Sequence, residues 1–264
     1  MSTTASARGR RLLAVALPPL VLGVVFLTFW QLIVEWFDIK RYILPTPTQI
    51  WSAAVEDTAL IRRSMAVTGM NSLIGLVFGA ILGAAVALLT NRFRIVSELV
   101  TPLEIAARAI PIVVIVAVLQ DMFARDTETP RRLMVTIAVF FIVYVNVARG
   151  LREHDETKAE LMSSYAASPV QVLAKVRIPN SLPFFFTAIR ISAPVAVITA
   201  FVAEYFGGRQ NGLGYRITSA FGSSREPQGW AAVLGACILG LAFFVAGSLL
   251  EYVAVPWQRR RTAR

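Results

Sequence analysis

The sequence predicts an all-α integral membrane protein of about six transmembrane helices, and composition, blocking and block length carry that reading. Hydrophobic residues make up 56% of the 264, charged residues only 16%, and the mean hydropathy is +0.63. Soluble domains carry about 25% charged residues. The apolar residues also gather into long blocks, at 12–34, 65–90, 99–119, 133–148, 184–206 and 230–255. Most approach the roughly 20 residues needed to cross about 30 Å of hydrocarbon, and the fourth is the shortest. One or two such blocks fit inside a soluble core; six do not.

The blocks differ in detail. Arg8, Arg10 and Arg11 before the first give it the look of a signal peptide. Its run exceeds a 7–15-residue signal core and ends at Glu35-Trp36 without a small-x-small cleavage site, so an uncleaved span is expected. Trp30, Trp36 and Phe37 suit an interface at its outer end. The second block sets Gly75, Gly79 and Gly83 on one helical face, with Asn71 before and Ala87 after. Such small residues let backbones approach closely, and packing within the chain is the simpler expectation than a dimer seam. The third block contains Glu104, Arg108 and Pro111; the fifth contains Arg190, Pro194 and Glu204. Charge inside a bilayer is expensive and marks a pathway or a paired site. Arg190 and Glu204 lie near the ends of their span, where snorkelling is the plain expectation, and Glu104 lies one turn from Arg108. Pro111 and Pro194 should kink their helices, as breaks beside transport paths do.

Between the blocks, Leu44-Pro45-Thr46-Pro47 fixes an extended stretch, and 48–61 reads as a short helix outside the bilayer. Residues 207–229, rich in glycine and serine, are expected to be irregular. Lysine and arginine are in modest excess on the side holding both termini, which places the basic tails 1–11 and 256–264 in the cytoplasm, around a transmembrane region at 12–255. The net charge of +10 is spread around span ends, which suits anionic lipid and not nucleic acid. Cys237 and His154 each stand alone, so no disulfide framework or zinc cluster is expected. No G-x-x-x-x-G-K-[ST] phosphate loop occurs, so the chain has no P-loop for ATP.

The long loop at 149–182 carries the most specific pattern. Glu160-Leu161-Met162-Ser163-Ser164-Tyr165-Ala166-Ala167-Ser168 reads as a helix ending near Ala166 and a turn at Ser168-Pro169. A second helix follows, capped by Ser168, started by Pro169 and stopped by the prolines after Arg177-Ile178. Val172, Leu173 and Val176 give it a face that must bury, against the chain's own spans or against a soluble partner.

This loop resembles the EAA loop of type I ABC-importer permeases, with Glu160 on the motif's Glu, Ala166 on its Gly and Pro179 on its Pro. Leu44-Pro45-Thr46-Pro47, Arg108-Ala109-Ile110-Pro111, Leu182-Pro183 through Arg190-Ile191, and Ala203-Glu204 followed by Gly212-Leu213-Gly214-Tyr215 are similar to the nitrate/sulfonate/taurine branch. Leu161-Met162 and Ala166 depart from the motif's Ala-Ala and Gly, which moves the expected turn to Ser168-Pro169. The resemblance implies a bacterial inner-membrane permease with four kinds of partner. These are separate ABC ATPases that use ATP and magnesium, a second permease chain (the same or a homologue), an extracytoplasmic solute-binding protein, and lipid. The chain itself would hold no cofactor. Glu160, Ala166, Ile178 and Pro179 would couple to the ATPase. Arg108, Pro111, Glu204, Gly212, Leu213 and Gly214 would lie along the path of a small anionic or heterocyclic solute. The rival readings are an ion-coupled secondary transporter using Glu204 or Arg108, and a membrane enzyme or scaffold.

Overall fold

The computed structural model describes residues 3–123, 126–153, 160–162 and 164–257. At 3–16, 101, 103, 104, 107–109, 112 and 113 it describes the backbone only. The described residues form helices and connecting turns, and contacts divide the chain into two compact units.

The first unit comprises Met1–Thr58 and Ser219–Ala231. Helix α1 (Thr3–Trp36) exposes Leu20, Val24 and Phe29, an apolar surface that water would penalise and lipid would not. Leu44-Pro45 leads to Thr46, whose hydroxyl accepts from the Gln49 amide at 3.3 Å while Gln49 Oε1 accepts from the Thr46 amide. This reciprocal cap, with Pro47 in the first turn, starts α2 (Pro47–Glu56). The helix stops at Glu56, short of the expected 48–61, with Asp57 outside helical geometry (φ −95°, ψ 16°) and Thr58 Oγ1 donating to the carbonyls of Ala54 and Val55.

The second unit comprises Ala59–Thr218 and Ala232–Arg264. Its helices are α3 (Thr58–Arg92), α4 (Arg94–Ala109), α5 (Ile112–Met122), α6 (Thr129–Arg152), α7 (Pro169–Val172), α8 (Ile178–Tyr205), α9 (Gly212–Gly222) and α10 (Glu226–Ala254); α3, α9 and α10 each begin or end in the first unit. The glycine face of α3 packs within the chain. A Cβ at Gly79 would stand 2.7 Å from the Thr136 carbonyl oxygen and from Val139 Cβ, and one at Gly83 would stand 2.7 Å from the Phe140 carbonyl. Hydrogen in place of a side chain lets α3 touch the backbone of α6, and Leu76, Ala80, Val135, Val139 and Val143 fill the core around that contact.

The expected all-α, multi-span architecture stands, and five described helices are long and apolar enough to cross a membrane. The third block instead forms α4 and α5, separated at Ile110-Pro111, where Ile110 is extended (φ −82°, ψ 121°) because proline bars its predecessor from helix. Residues 207–229 are not irregular. Positive φ at Gly207, Gly208 and Gly212 turns the chain back, and the stripe Leu213, Ile217, Ala220 then buries one face of α9. Finally, the prolines do not stop the loop's second helix. A π turn at Leu173–Arg177 joins α7 to α8, and the helix runs on from Pro169 to Tyr205. Its wider i→i+5 spacing, with the Ile178 amide donating to the Leu173 carbonyl, leaves room for Pro179 just beyond.

Ala166 adopts φ +51° itself instead of passing the turn to Ser168-Pro169. The Ala167 amide donates to the Met162 carbonyl at 3.0 Å, the six-to-one bond that ends a helix through a left-handed residue.

Candidate functional site

Two polar clusters and one loop, all in the second unit, hold the chemistry. The first cluster is built around Glu204, and it overturns the snorkelling expectation for that residue. Its side chain is 1% exposed. Oε2 accepts from Thr68 Oγ1 at 2.7 Å and from the Gly214 amide at 3.1 Å, while Thr68 Oγ1 accepts from the Leu213 amide at 3.0 Å. Two side chains from α3 and α8 thus cap the N-terminus of α9, where the free amides and the helix dipole favour an anion. Oε1 has no hydrogen-bond partner among the described residues. The glycines follow from this close approach. Gly212 sits at φ +83°, and a Cβ there would enter the Glu204 carboxyl. A Cβ at Gly214 would meet the backbone around Phe201 and Tyr205.

The second cluster neighbours the first through the 207–211 turn. Arg131 is fully buried. Its Nη1 donates to Glu128 Oε2 at 2.9 Å and to Asn211 Oδ1, and its Nη2 donates to the carbonyls of Arg209 and Gly207. Glu128 also accepts from Asn71 Nδ2 at 2.9 Å and Asn211 Nδ2 at 2.7 Å, and Arg132 Nε donates to Asn71 Oδ1 at 3.1 Å. Burial alone would raise the Glu128 carboxyl, but the Asn211 hydrogen bond, the Arg131 charge and the Asn71 hydrogen bond together hold it below its ordinary value. Gln120 Nε2, from α5, donates to the Ala203 carbonyl at 3.2 Å.

The loop lies at the far end of α3. Thr68 and Asn91 are 23 residues apart on that helix, about 35 Å at 1.5 Å per residue. Arg177 Nη1 donates to Asn91 Oδ1 at 3.1 Å, and Asn180 Nδ2 donates to the Gly150 and Glu153 carbonyls, tying the loop to the ends of α3 and α6. Ser168 caps α7 reciprocally with Gln171, as its sequence position predicts. Of the expected apolar face, Leu173 packs on the chain's own core, joined there by Ile178, while Val172 and Leu173 also line the open cleft beside Pro169. Leu161, Tyr165 and Val170 are left exposed, beside a cleft of about 410 Å³ lined by Asn91, Arg92, Ala167, Pro169, Val170 and Arg177.

The structure therefore brings Glu204, Gly212, Leu213 and Gly214 together at one end of α3, and Ala166, Ile178 and Pro179 near the other. Glu160 is helical and exposed, with no described hydrogen bond to those three. Pro111 is exposed at the α4–α5 break; the side chains of Arg108 and Glu104 lie outside the described residues. Arg190 pairs with Glu251 at 2.8 Å. Sequence reasoning did not single out Thr68, Glu128, Arg131, Arg132, Arg209 and Asn211. The run Glu128-Thr129-Pro130-Arg131-Arg132, charged and opening an apolar block, was the available signal.

Comparison with known proteins bears on the family and the fold. Residues 75–260 match the family model for the binding-protein-dependent transport system inner membrane component. A probable ABC transporter permease protein of Haemophilus influenzae is 29% identical over 245 residues, covering 93% of this chain and 96% of the relative. The formylaminopyrimidine transport permease protein ThiX of Halalkalibacterium halodurans is 27% identical, covering 93% and 98%. The fold is similar to a chain in an inward-facing structure of the MetNI methionine ABC transporter, with a TM-score of 0.60 and 19% identity over 75% of this chain and 97% of that one. The match sets aside the ion-coupled alternative. The chain belongs to the family of binding-protein-dependent transport system inner membrane components, and it is a multi-pass permease subunit of an ABC importer.

Proposed function

We propose that this permease docks a separate ABC ATPase through residues 160–179 and passes the resulting movement to the Glu204 end, where a binding protein delivers a small solute. Two such chains, identical or homologous, would enclose the path in a bacterial inner membrane, with both termini cytoplasmic. ATP and magnesium would act on the partner ATPase. Glu160, exposed Leu161, Tyr165 and Val170, and the cleft beside Pro169 give that partner its surface, with Ala166 setting the turn between the two short helices.

The observation that carries the proposal is the helix running from Pro169 through the π turn to Tyr205. One end belongs to the loop and the other carries Glu204, which caps α9. A push on the loop therefore moves the capping carboxylate without needing a second relay. The energy must come from a difference in docking between nucleotide states, since a partner shifts an equilibrium only by its differential affinity. Pro111 supplies the break between α4 and α5, and Arg108, in the last turn of α4, is a pathway candidate beside it.

Affinity purification of the tagged chain in mild detergent tests this. A P-loop ATPase should co-purify with the native chain and be lost with Glu160→Ala combined with Pro179→Ala. A folded native chain that brings no ATPase would refute the docking assignment.

A further inference from the structure

Beside the Glu128–Arg131 cluster lies a cleft of about 600 Å³ that the proposed path does not yet use. Three arginines from separate elements line it: Arg63 on α3, Arg132 on α6 and Arg209 on the turn before α9. Glu128 is the carboxylate among the described lining residues, and it is already occupied by Arg131, Asn71 and Asn211, with Arg209 Nη1 3.8 Å away. Arg132 spends only Nε, on Asn71, and no described residue bonds its two Nη groups. Arg63 has no described partner. The other wall is apolar, formed by Ala66, Val67 and Met70.

Unspent guanidinium groups match the paired oxygens of a carboxylate, sulfonate or phosphate through parallel N–H donors. An adjoining apolar wall suits a short hydrocarbon body, and the volume falls within the roughly 300–1,000 Å³ of small-molecule sites. The Arg131 network fixes this geometry, because it pins both the turn carrying Arg209 and the helix start carrying Arg132.

We propose that this cleft is a binding site for a small organic anion, one anionic head on an apolar body, gripped by Arg63, Arg132 and Arg209. The proposal rests on the permease reading for its placement on the solute path, but its test does not need the ATPase. A concave, three-sided arginine site favours a small molecule over a flat acidic protein surface or a lipid headgroup.

Calorimetric titration of the purified chain in nanodiscs of zwitterionic lipid supplies the test, using 1-butanesulfonate, pentanoate and butyl phosphate as probes. Butanol and butyltrimethylammonium serve as neutral and cationic controls. Saturable binding of at least one anion, absent for both controls and weakened tenfold or more by Arg63→Ala with Arg209→Ala, is the expected result. Arg225→Ala, outside the cleft, should leave binding unchanged. Arg63→Ala alone, which disturbs no described hydrogen bond, keeps the test valid if the double variant fails to fold, and it should weaken binding at least threefold.

Equal binding of anions and controls, or anion binding indifferent to Arg63→Ala, would overturn the proposal. So would a tightly retained anionic phospholipid that the probes cannot displace, or cleft variants that lose binding-protein docking while anion affinity stays intact. ATPase co-purification, measured on the same variants, separates failure of this site from failure of the permease reading.

Discussion

Thr68 and Glu204 show how single polar atoms organise this protein. Thr68 Oγ1 is at once a donor to Glu204 and an acceptor from Leu213, so Thr68→Val strips one bond from a buried carboxylate and leaves a buried amide unpaired. Such losses cost about 1–3 kcal/mol. A lower unfolding temperature in detergent is expected for Thr68→Val, with Thr68→Ser close to native because it keeps both bonds. Glu128 makes a second residue-scale prediction. Its carboxyl is held below its ordinary value of 4.5, so the stability it contributes is fully present above about 4.5 and is lost as the pH falls through the lowered value. Stability measured against pH should decline below 4.5, and Glu128→Gln should flatten that part of the profile while lowering stability at pH 7. Arg131 is a harsher case, since removing one partner from a buried ion pair costs about 3–5 kcal/mol.

At the scale of the element, the loop before α7 turns on Ala166. A left-handed residue with a Cβ is disfavoured by about 1–2 kcal/mol, and glycine recovers part of that at an entropic cost of its own. Ala166→Gly should therefore stabilise the turn by roughly 0.5–1 kcal/mol, read as slower hydrogen exchange of the Ala167 amide. Elements whose signal is local were legible in the sequence. Ser168 and Pro169 specify a cap within four residues, and the Gly75, Gly79, Gly83 spacing specifies a close helix contact, whereas the Thr46-Pro47 cap reads there only as extended chain. Elements decided by competition were not. The block at 99–119 is apolar enough to span, but Pro111 divides it; Pro179 suggests a stop, but a π turn absorbs it. The irregular reading of 207–229 weighed the glycines and missed the Leu213, Ile217, Ala220 stripe behind them. The Glu128–Arg131–Asn211 cluster joins residues about 80 positions apart, which no spacing rule reaches.

Across the whole second unit, the same connections tie one end to the other. α3 carries Thr68 at the capping end and Asn91 at the loop end, while the helix from Pro169 carries the loop at its start and Glu204 near its finish. Core residues of α3, α6 and α8 fill the space between, so a shift at the loop cannot be absorbed by a soft interior. The central claim is that the Pro169–Tyr205 helix moves as one body when a partner ATPase changes state. Pulsed electron paramagnetic resonance tests it directly, with spin labels at exposed Val170 and Tyr205 and with Cys237→Ser to remove the free thiol. At 1.5 Å per residue the two sites stand about 50 Å apart, and the account predicts that this separation stays the same in the nucleotide-free and ATP-bound complex. A change of one helical turn, about 5 Å or more, would show the helix bending or breaking between the labels and contradict transmission along it.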